Sequence, residues 1–177
     1  MGTVLWLTGL SGSGKSTLAE ALKKTYETQR KRVCIIDGDA VRQKDARPLG
    51  FSREDIRENN RRIALLAKEK QKEHDIVLIP VIAPFREDRA RSREIIGDSF
   101  FEVFVDCPLA ACAQRDVKGL YKESLSRERP MLIGMEGSLI PYEAPTAPDI
   151  HIRTADTPLH ESVAQLTRFL RRHLPTE

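Results

Sequence analysis

Apolar runs alternate with helical spacings along this chain. Val4 to Thr8 is an apolar run that ends in glycines, and Val33 to Ile36 is a short β-branched run ending at Asp37. Ile76 to Ile82 is almost unbroken apolar, the pattern of a strand covered on both faces. Phe101 to Val105 and Asp149 to Ile152 read as a fourth and a fifth strand. Between these runs the apolar residues fall three and four apart. Thr17 to Gln29 places Leu18, Ala21 and Leu22 on one helical face. Ser52 to Glu73 predicts a long helix, with Ser52 as N-cap, Glu54 and Asp55 in the first turn, and Ile63, Leu66 and Ala67 as a buried stripe. Arg86 to Ile96 reads as a charged helix, Leu109 to Arg127 as a helix interrupted at Gly119, and Leu159 to Leu174 as a closing helix that packs on the core. Strands and helices in this alternation predict an α/β domain around a parallel sheet. Glu128 to Pro148 fits neither pattern. It holds four prolines and two glycines in 21 residues, and a loop of that length in a compact domain is usually functional.

A chain of 177 residues suits one domain, and 40% hydrophobic with 31% charged residues excludes a disordered tail protein. No run of 18 apolar residues exists to form a membrane-spanning helix. The first residues lack the charged segment and cleavage site of a secretory leader. The three cysteines (Cys34, Cys107 and Cys112) form no CxxC pair, so neither a disulfide framework nor a metal cage is expected, and a reducing cytoplasm is. The net charge of +3 admits nucleic acid as a partner. Its basic residues, however, are interleaved with acids, and only 6% of residues are aromatic. The expectation is therefore no nucleic acid and no membrane, with a phosphorylated small molecule accounting for local basic clusters.

Gly9-Leu10-Ser11-Gly12-Ser13-Gly14-Lys15-Ser16 meets every fixed position of G-x-x-x-x-G-K-[ST], with a strand before it and a helix after. Glycines let successive N–H groups turn inward around a phosphate, and the helix start adds its positive dipole end. Gly9, Ser11, Gly12, Ser13, Gly14, Lys15, Ser16 and Thr17 are the candidate ATP-binding residues. Lys15 is expected at the β- and γ-phosphates, and the Ser16 hydroxyl on Mg²⁺. The motif defines a triphosphate site but not the phosphate acceptor. No N-K-x-D guanine signature follows a strand, and the chain has little room beyond a core, so a kinase for a small acceptor is the favoured class.

Ligands of open α/β sheets bind beyond the carboxyl ends of the strands. The second strand ends in Asp37-Gly38-Asp39, followed by Arg42. Two carboxylates there can orient Mg²⁺ or accept a proton from an acceptor hydroxyl; alternatively they form an Asx-turn that caps the next helix. The third strand ends in Ala83-Pro84-Phe85-Arg86. Arg57, Arg61 and Arg62 lie on the long helix with Asn59, near Phe51. They could grip an anionic acceptor while Phe51 stacks on a base, or simply pair with Glu54, Glu58 and Glu69. Arg115 to Tyr121 carries Arg115, Lys118 and the Gly119 break, which reads either as a mobile lid over ATP or as an ordinary surface helix.

Taken together these segments resemble adenylylsulfate kinase (APS kinase), from Trp6 to Ile152. The markers are GLSGSGKST at Gly9 to Thr17, DGD-x-VR at Asp37 to Arg42, LGFSRED at Leu49 to Asp55 with Glu58-Asn59, and P-F-R-x-D-R at Pro84 to Arg89. FEVFVD before Cys107, QRDVKGLYK at Gln114 to Lys122 and PYEAP at Pro141 to Pro145 complete them. The resemblance implies a P-loop NTPase-type three-layer sandwich with a parallel sheet of about five strands, a single domain over 1–177, a lid over about 112–127 and an acceptor loop over about 128–148. It implies transfer of the ATP γ-phosphoryl to the 3′-hydroxyl of adenosine 5′-phosphosulfate in sulfate assimilation, with ATP and Mg²⁺ as cofactors, in a homodimer. Lys15, Asp37 and Asp39 would be catalytic, Ser16 and Asp37 metal-binding, and Arg115 and Lys118 on the ATP side. Asp39, Arg42, Phe51, Arg57, Asn59, Ile82, Ala83 and Leu132 would form the acceptor side. The sequence departs from the family pattern in that half. Ala40 replaces its asparagine, Ile56 its acceptor-site arginine and Ala83 its serine, while Glu128 to Met135 replaces a KGFTGI-like loop. Arg57 or Arg129 could compensate for the arginine. These departures open two alternatives: another 5′-modified nucleotide as acceptor, such as cytidine diphosphoramidate, or a nucleotide-binding subunit without transfer activity.

Overall fold

A computed structural model describes residues 1–44, 48–116, 118–126 and 130–174. Five parallel strands form one sheet in the order β2-β3-β1-β4-β5. They are β1 (Thr3–Thr8), β2 (Val33–Ile35), β3 (Ile76–Pro80), β4 (Phe100–Asp106) and β5 (Ile150–Arg153). The central strands are apolar throughout because both of their faces are covered. In β1, Leu5 and Leu7 face one core with Leu78, Val103 and Val105, while Val4 and Trp6 face the other with Val77 and Ile79.

Two helices cover the first face: α1 (Lys15–Glu27), through Leu18, Leu22 and Tyr26, and the C-terminal helix (Leu159–His173), through Leu166 and Leu170. On the second face lie α3 (Arg53–Lys70), through Ile63, Ala64 and Ala67, and α4 (Arg86–Ile96), through Ile96. This is the expected three-layer sandwich. Among the described residues no helix is long and apolar enough to cross a membrane.

Several boundaries differ from the sequence reading. A short helix, α2 (Gly38–Gln43), follows β2; apolar spacing does not predict it, and only the Asx-turn reading of Asp37 points to a helix there. The helix predicted over Leu109 to Arg127 is two helices, α5 (Leu109–Arg115) and α6 (Leu120–Leu125), so the C-terminal helix is α7. The break is more than Gly119: Asp116 at the end of α5 has φ 24°, and its carboxylate accepts from the N–H groups of Tyr121 and Lys122, both at 3.0 Å. The acid thereby caps α6 where the glycine frees the chain to turn. β3 ends at Pro80 rather than Ile82, since the chain then peels away into Ala83 at φ 42°. Ser52 caps α3 as expected, accepting from Asp55 N at 3.0 Å.

Candidate functional site

At the carboxyl end of β1 the chain passes through the glycine loop directly into α1, with Gly14 in the left-handed region (φ 99°) as the residue before the helix. Helix α1 therefore begins at Lys15, two residues earlier than expected, and its free N–H groups open on the loop. Gly9 is needed for space. A Cβ there would stand 2.4 Å from the Val105 carbonyl oxygen of β4, a backbone atom that cannot yield.

Two contacts from distant segments brace the loop. The Thr154 hydroxyl donates to Ser13 O at 2.7 Å, and the Tyr121 hydroxyl donates to Ser11 O at 2.7 Å. Arg115 reaches back to Thr154 O at 2.6 Å. Tyr121 belongs to the QRDVKGLYK marker, whereas Thr154 carries no motif signal, and only the tertiary path brings both to the loop.

Lys15 is buried, with Nζ donating to Gly9 O at 2.9 Å and Leu10 O at 2.6 Å. Burial pushes its pKa down to about 8, helped by the positive charge of Lys118 and opposed by the thiols of Cys112 and Cys107. Those thiols are buried beside the loop. The amine thus waits in a cage of carbonyls that a phosphate would replace as its partner.

Across the cleft Asp37 caps α2, its carboxylate accepting from Asp39 N at 2.9 Å. The Asx-turn reading and the ligand reading therefore coexist: one oxygen serves the turn, and both carboxylates line the cleft. Among the described residues no cluster of three or more His, Cys, Asp and Glu side chains could hold a metal ion. The donor set of Ser16 hydroxyl and Asp37 carboxylate fits Mg²⁺, which takes few protein oxygens and completes its shell with phosphates and water.

The loop and the acids open into one cleft of about 1550 Å³ that runs on to α3 and the chain after Pro130. Ser11, Gly12, Gly14, Ser16, Thr17, Arg115 and Lys118 line its nucleotide end, and Arg42, Phe51, Asn59, Ile82, Ala83 and Leu132 its far end. Gly9 and Ser13 stand behind the loop as supports. The Arg42 guanidinium lies 4.4 Å above the ring of Phe51, which is 61% exposed and free to stack on a ligand. Asn59 is 4% exposed. Its Nδ2 donates to Gly38 O at 3.3 Å, leaving Oδ1 buried without a partner.

Arg57 does not join this wall. It turns into the groove between α3 and α4, 3.3 Å from Glu87 and 3.6 Å from Asp88, and does not take the place of the arginine missing at Ile56. A step of one residue turns a helical side chain by about 100°, and Ile56 occupies the cleft-facing position. Arg61 and Arg62 pair with Glu58, whose pKa falls to about 2 under their hydrogen bonds. Arg129, the other candidate compensator, lies outside the described residues, as do Val117, Arg127 and Glu128.

The sequence reading also missed a buried arginine. Arg89, 3% exposed, donates from Nε to Glu102 on β4, from Nη1 to Ala83 O at 2.7 Å and from Nη2 to Glu143 O at 2.8 Å. Glu143 N donates to Pro84 O at 2.8 Å, and its carboxylate accepts from Arg86 N at 2.8 Å. The P-F-R-x-D-R and PYEAP segments are thus one clamp, which holds the left-handed Ala83 in the cleft wall.

A glycine loop at a helix start, at the carboxyl edge of a parallel sheet and open to a second binding lobe, defines a P-loop nucleotide-binding domain. The family model for adenylylsulphate kinase matches residues 1–153. The chain belongs to that family. It is 45% identical over 169 residues to the adenylyl-sulfate kinase of Gloeothece citriformis, covering 96% of this chain and 94% of that protein. It is 44% identical over 169 residues to the bifunctional enzyme NodQ of Rhizobium tropici, of which it spans 26% while 95% of its own length is matched. The chain thus spans about a quarter of that longer relative. The structure of the Mycobacterium tuberculosis APS kinase CysC in complex with AMPPNP and APS superposes with a TM-score of 0.88 at 35% identity, covering 96% of this chain and 98% of that one.

Proposed function

We propose that this protein transfers the γ-phosphoryl group of ATP to the 3′-hydroxyl of adenosine 5′-phosphosulfate. The observation that carries the reading is the single cleft in which the Lys15 loop, the Asp37–Asp39 pair and the Arg42–Phe51–Asn59 wall face one another. The similarity to a kinase captured with AMPPNP and APS supports both halves of it.

The triphosphate lies against the N–H groups of the loop, and Lys15 exchanges its carbonyl partners for phosphate oxygens. Ser16 and Asp37 would hold the Mg²⁺ that accompanies ATP, and the ion would supply charge neutralisation there. Asp39, exposed at the start of α2, orients the acceptor hydroxyl for in-line attack and takes its proton. A loose phosphoryl transition state needs little covalent help, so positioning and neutral charge balance supply most of the rate. The whole chain serves as one kinase domain. Its lid, about 112–127 and carrying Arg115 and Lys118, closes over ATP and excludes water, while the loop over about 128–148 covers the acceptor. Free thiols at Cys34, Cys107 and Cys112 support a reducing, cytoplasmic setting, and the family resemblance supports a homodimer.

One observation favours a second reading. Ile56, 3% exposed, puts an apolar side chain where the family resemblance expects an acceptor-site arginine, so another 5′-modified nucleotide would meet one cation fewer. Measuring ADP release with APS and with other 5′-modified nucleotides decides the matter. APS-dependent ADP release that falls at least a hundredfold in Lys15→Ala is the expected result. Release that no acceptor stimulates would leave only a nucleotide-binding subunit.

A further inference from the structure

Asn60 follows Asn59 on α3 and comes one turn after Ile56, and all three line the acceptor end of the cleft. It is 4% exposed, and its Nδ2 has no hydrogen-bond partner among the described residues. Ile56, Val81 and Ala83, apolar residues of the same cleft, offer it no side-chain acceptor. The Asn59 Nδ2 is taken up by Gly38 O, so Asn59 leaves an acceptor unpaired where Asn60 leaves a donor. Leaving buried polar groups without partners destabilises a fold, and an apolar side chain of similar size at position 60 would remove that penalty. The amide therefore suits a polar ligand better than it suits the packing of α3. Ile56 brings no cation to the neighbouring turn, so at this turn of α3 recognition falls to hydrogen bonds, with Arg42 the charged group of the same wall.

We propose that Asn60 is a specificity-determining contact for the acceptor nucleotide, its amide N–H donating to an oxygen of the acceptor beside the uncharged Ile56. The inference rests on the kinase reading above. Two kinds of oxygen share this chemistry: a ribose hydroxyl and an oxygen of the 5′-linked anion. A bond to a neutral oxygen is worth roughly two- to tenfold in affinity, and one to a charged oxygen roughly ten- to a hundredfold.

The test measures KM for APS and for ATP, APS affinity by calorimetry in the presence of ADP, and melting temperature for the wild type, Asn60→Leu and Asn60→Ser. Asn60→Leu is expected to melt at or above the wild-type temperature, to keep its KM for ATP and to lose APS affinity. A loss below about tenfold assigns a ribose hydroxyl, and a larger one assigns the anion. Asn60→Ser, which keeps a donor, is expected to retain more affinity than Asn60→Leu, and it provides the readout if the leucine variant does not fold. APS constants within twofold of wild type in an active variant overturn the role of Asn60 alone. A wild-type enzyme that neither binds nor phosphorylates APS overturns the reading of APS as acceptor, and this inference with it.

Discussion

Removing the Arg89 side chain tests whether the acceptor wall depends on a buried ionic clamp. Arg89→Ala takes three donors away from a site that is 3% exposed. The Glu102 carboxylate, 13% exposed, loses the guanidinium that faces it, and the carbonyls of Ala83 and Glu143 lose their partners. Breaking a buried ion pair from one side costs about 3–5 kcal/mol, because the remaining charge stays desolvated. That is a large fraction of the roughly 5–15 kcal/mol by which a domain is stable. For a chain of this length each 1 kcal/mol lowers Tm by about 2–4 °C, so Arg89→Ala should melt about 6–20 °C below wild type. Arg89→Met combined with Glu102→Leu removes both charges and fills the space, and should recover most of that loss. Calorimetric melting of the wild type, single and double variants supplies the measurement. The recovered double variant should still show a raised KM for the acceptor, since Ala83 at φ 42° is no longer held. A single variant within 1 kcal/mol of wild type, or a double variant no better than the single, would refute the clamp.

Two further outcomes follow from the nucleotide end of the cleft. Lys15 has a pKa of about 8 against an ordinary 10.5, so the unfolded chain holds the extra proton between those values, and this residue's contribution to stability rises as pH increases from about 8 to 10.5. Bound phosphate favours the charged amine, so nucleotide Kd should rise roughly tenfold per pH unit above about 8. Titration calorimetry at pH 7, 8 and 9 checks this, and a Lys15→Met variant should lose the dependence. Gly9→Ala would place its Cβ 2.4 Å from the Val105 carbonyl, and should lose nucleotide binding with a destabilisation of about 1–3 kcal/mol or more. Gly97→Ala meets nothing within 4 Å and should cost only the roughly 1–3 kcal/mol of forcing a Cβ into its glycine-only conformation (φ 89°, ψ −154°), with nucleotide affinity unchanged. Chemical denaturation and nucleotide titration separate the two glycines.

What could be read from the chain and what could not divide along a physical line. Local periodicity and local chemistry were legible. Alternating apolar runs placed all five strands, Ser52 announced the start of α3, and α4 spans the predicted Arg86 to Ile96 because its pattern is uninterrupted. The glycine loop was legible for the same reason, since its function is built from consecutive backbone groups. Helix α2 escaped because six residues starting with Gly38 carry too little periodicity, although the capping acid Asp37 was visible.

The features that shape the acceptor wall are of another kind. Arg89 lies in a helix so charged that it reads as a solvated surface, and it is buried only because Glu102, Ala83 and Glu143 converge on it from three separate segments. Arg57 reads as a cleft residue until one residue of helical rotation turns it toward Asp88 and leaves Ile56 in the wall. Asn60 carries no signal in the sequence, and packing buries it with its Nδ2 left without a partner among the described residues. Each depends on a side chain's direction and on contacts distant in sequence, which composition and spacing do not encode. The triphosphate end is specified locally and was therefore readable, whereas the acceptor end is assembled from tertiary contacts. Acceptor choice in this chain accordingly rests on residues such as Ile56 and Asn60, whose identities acquire meaning only once α3 is seated against β3.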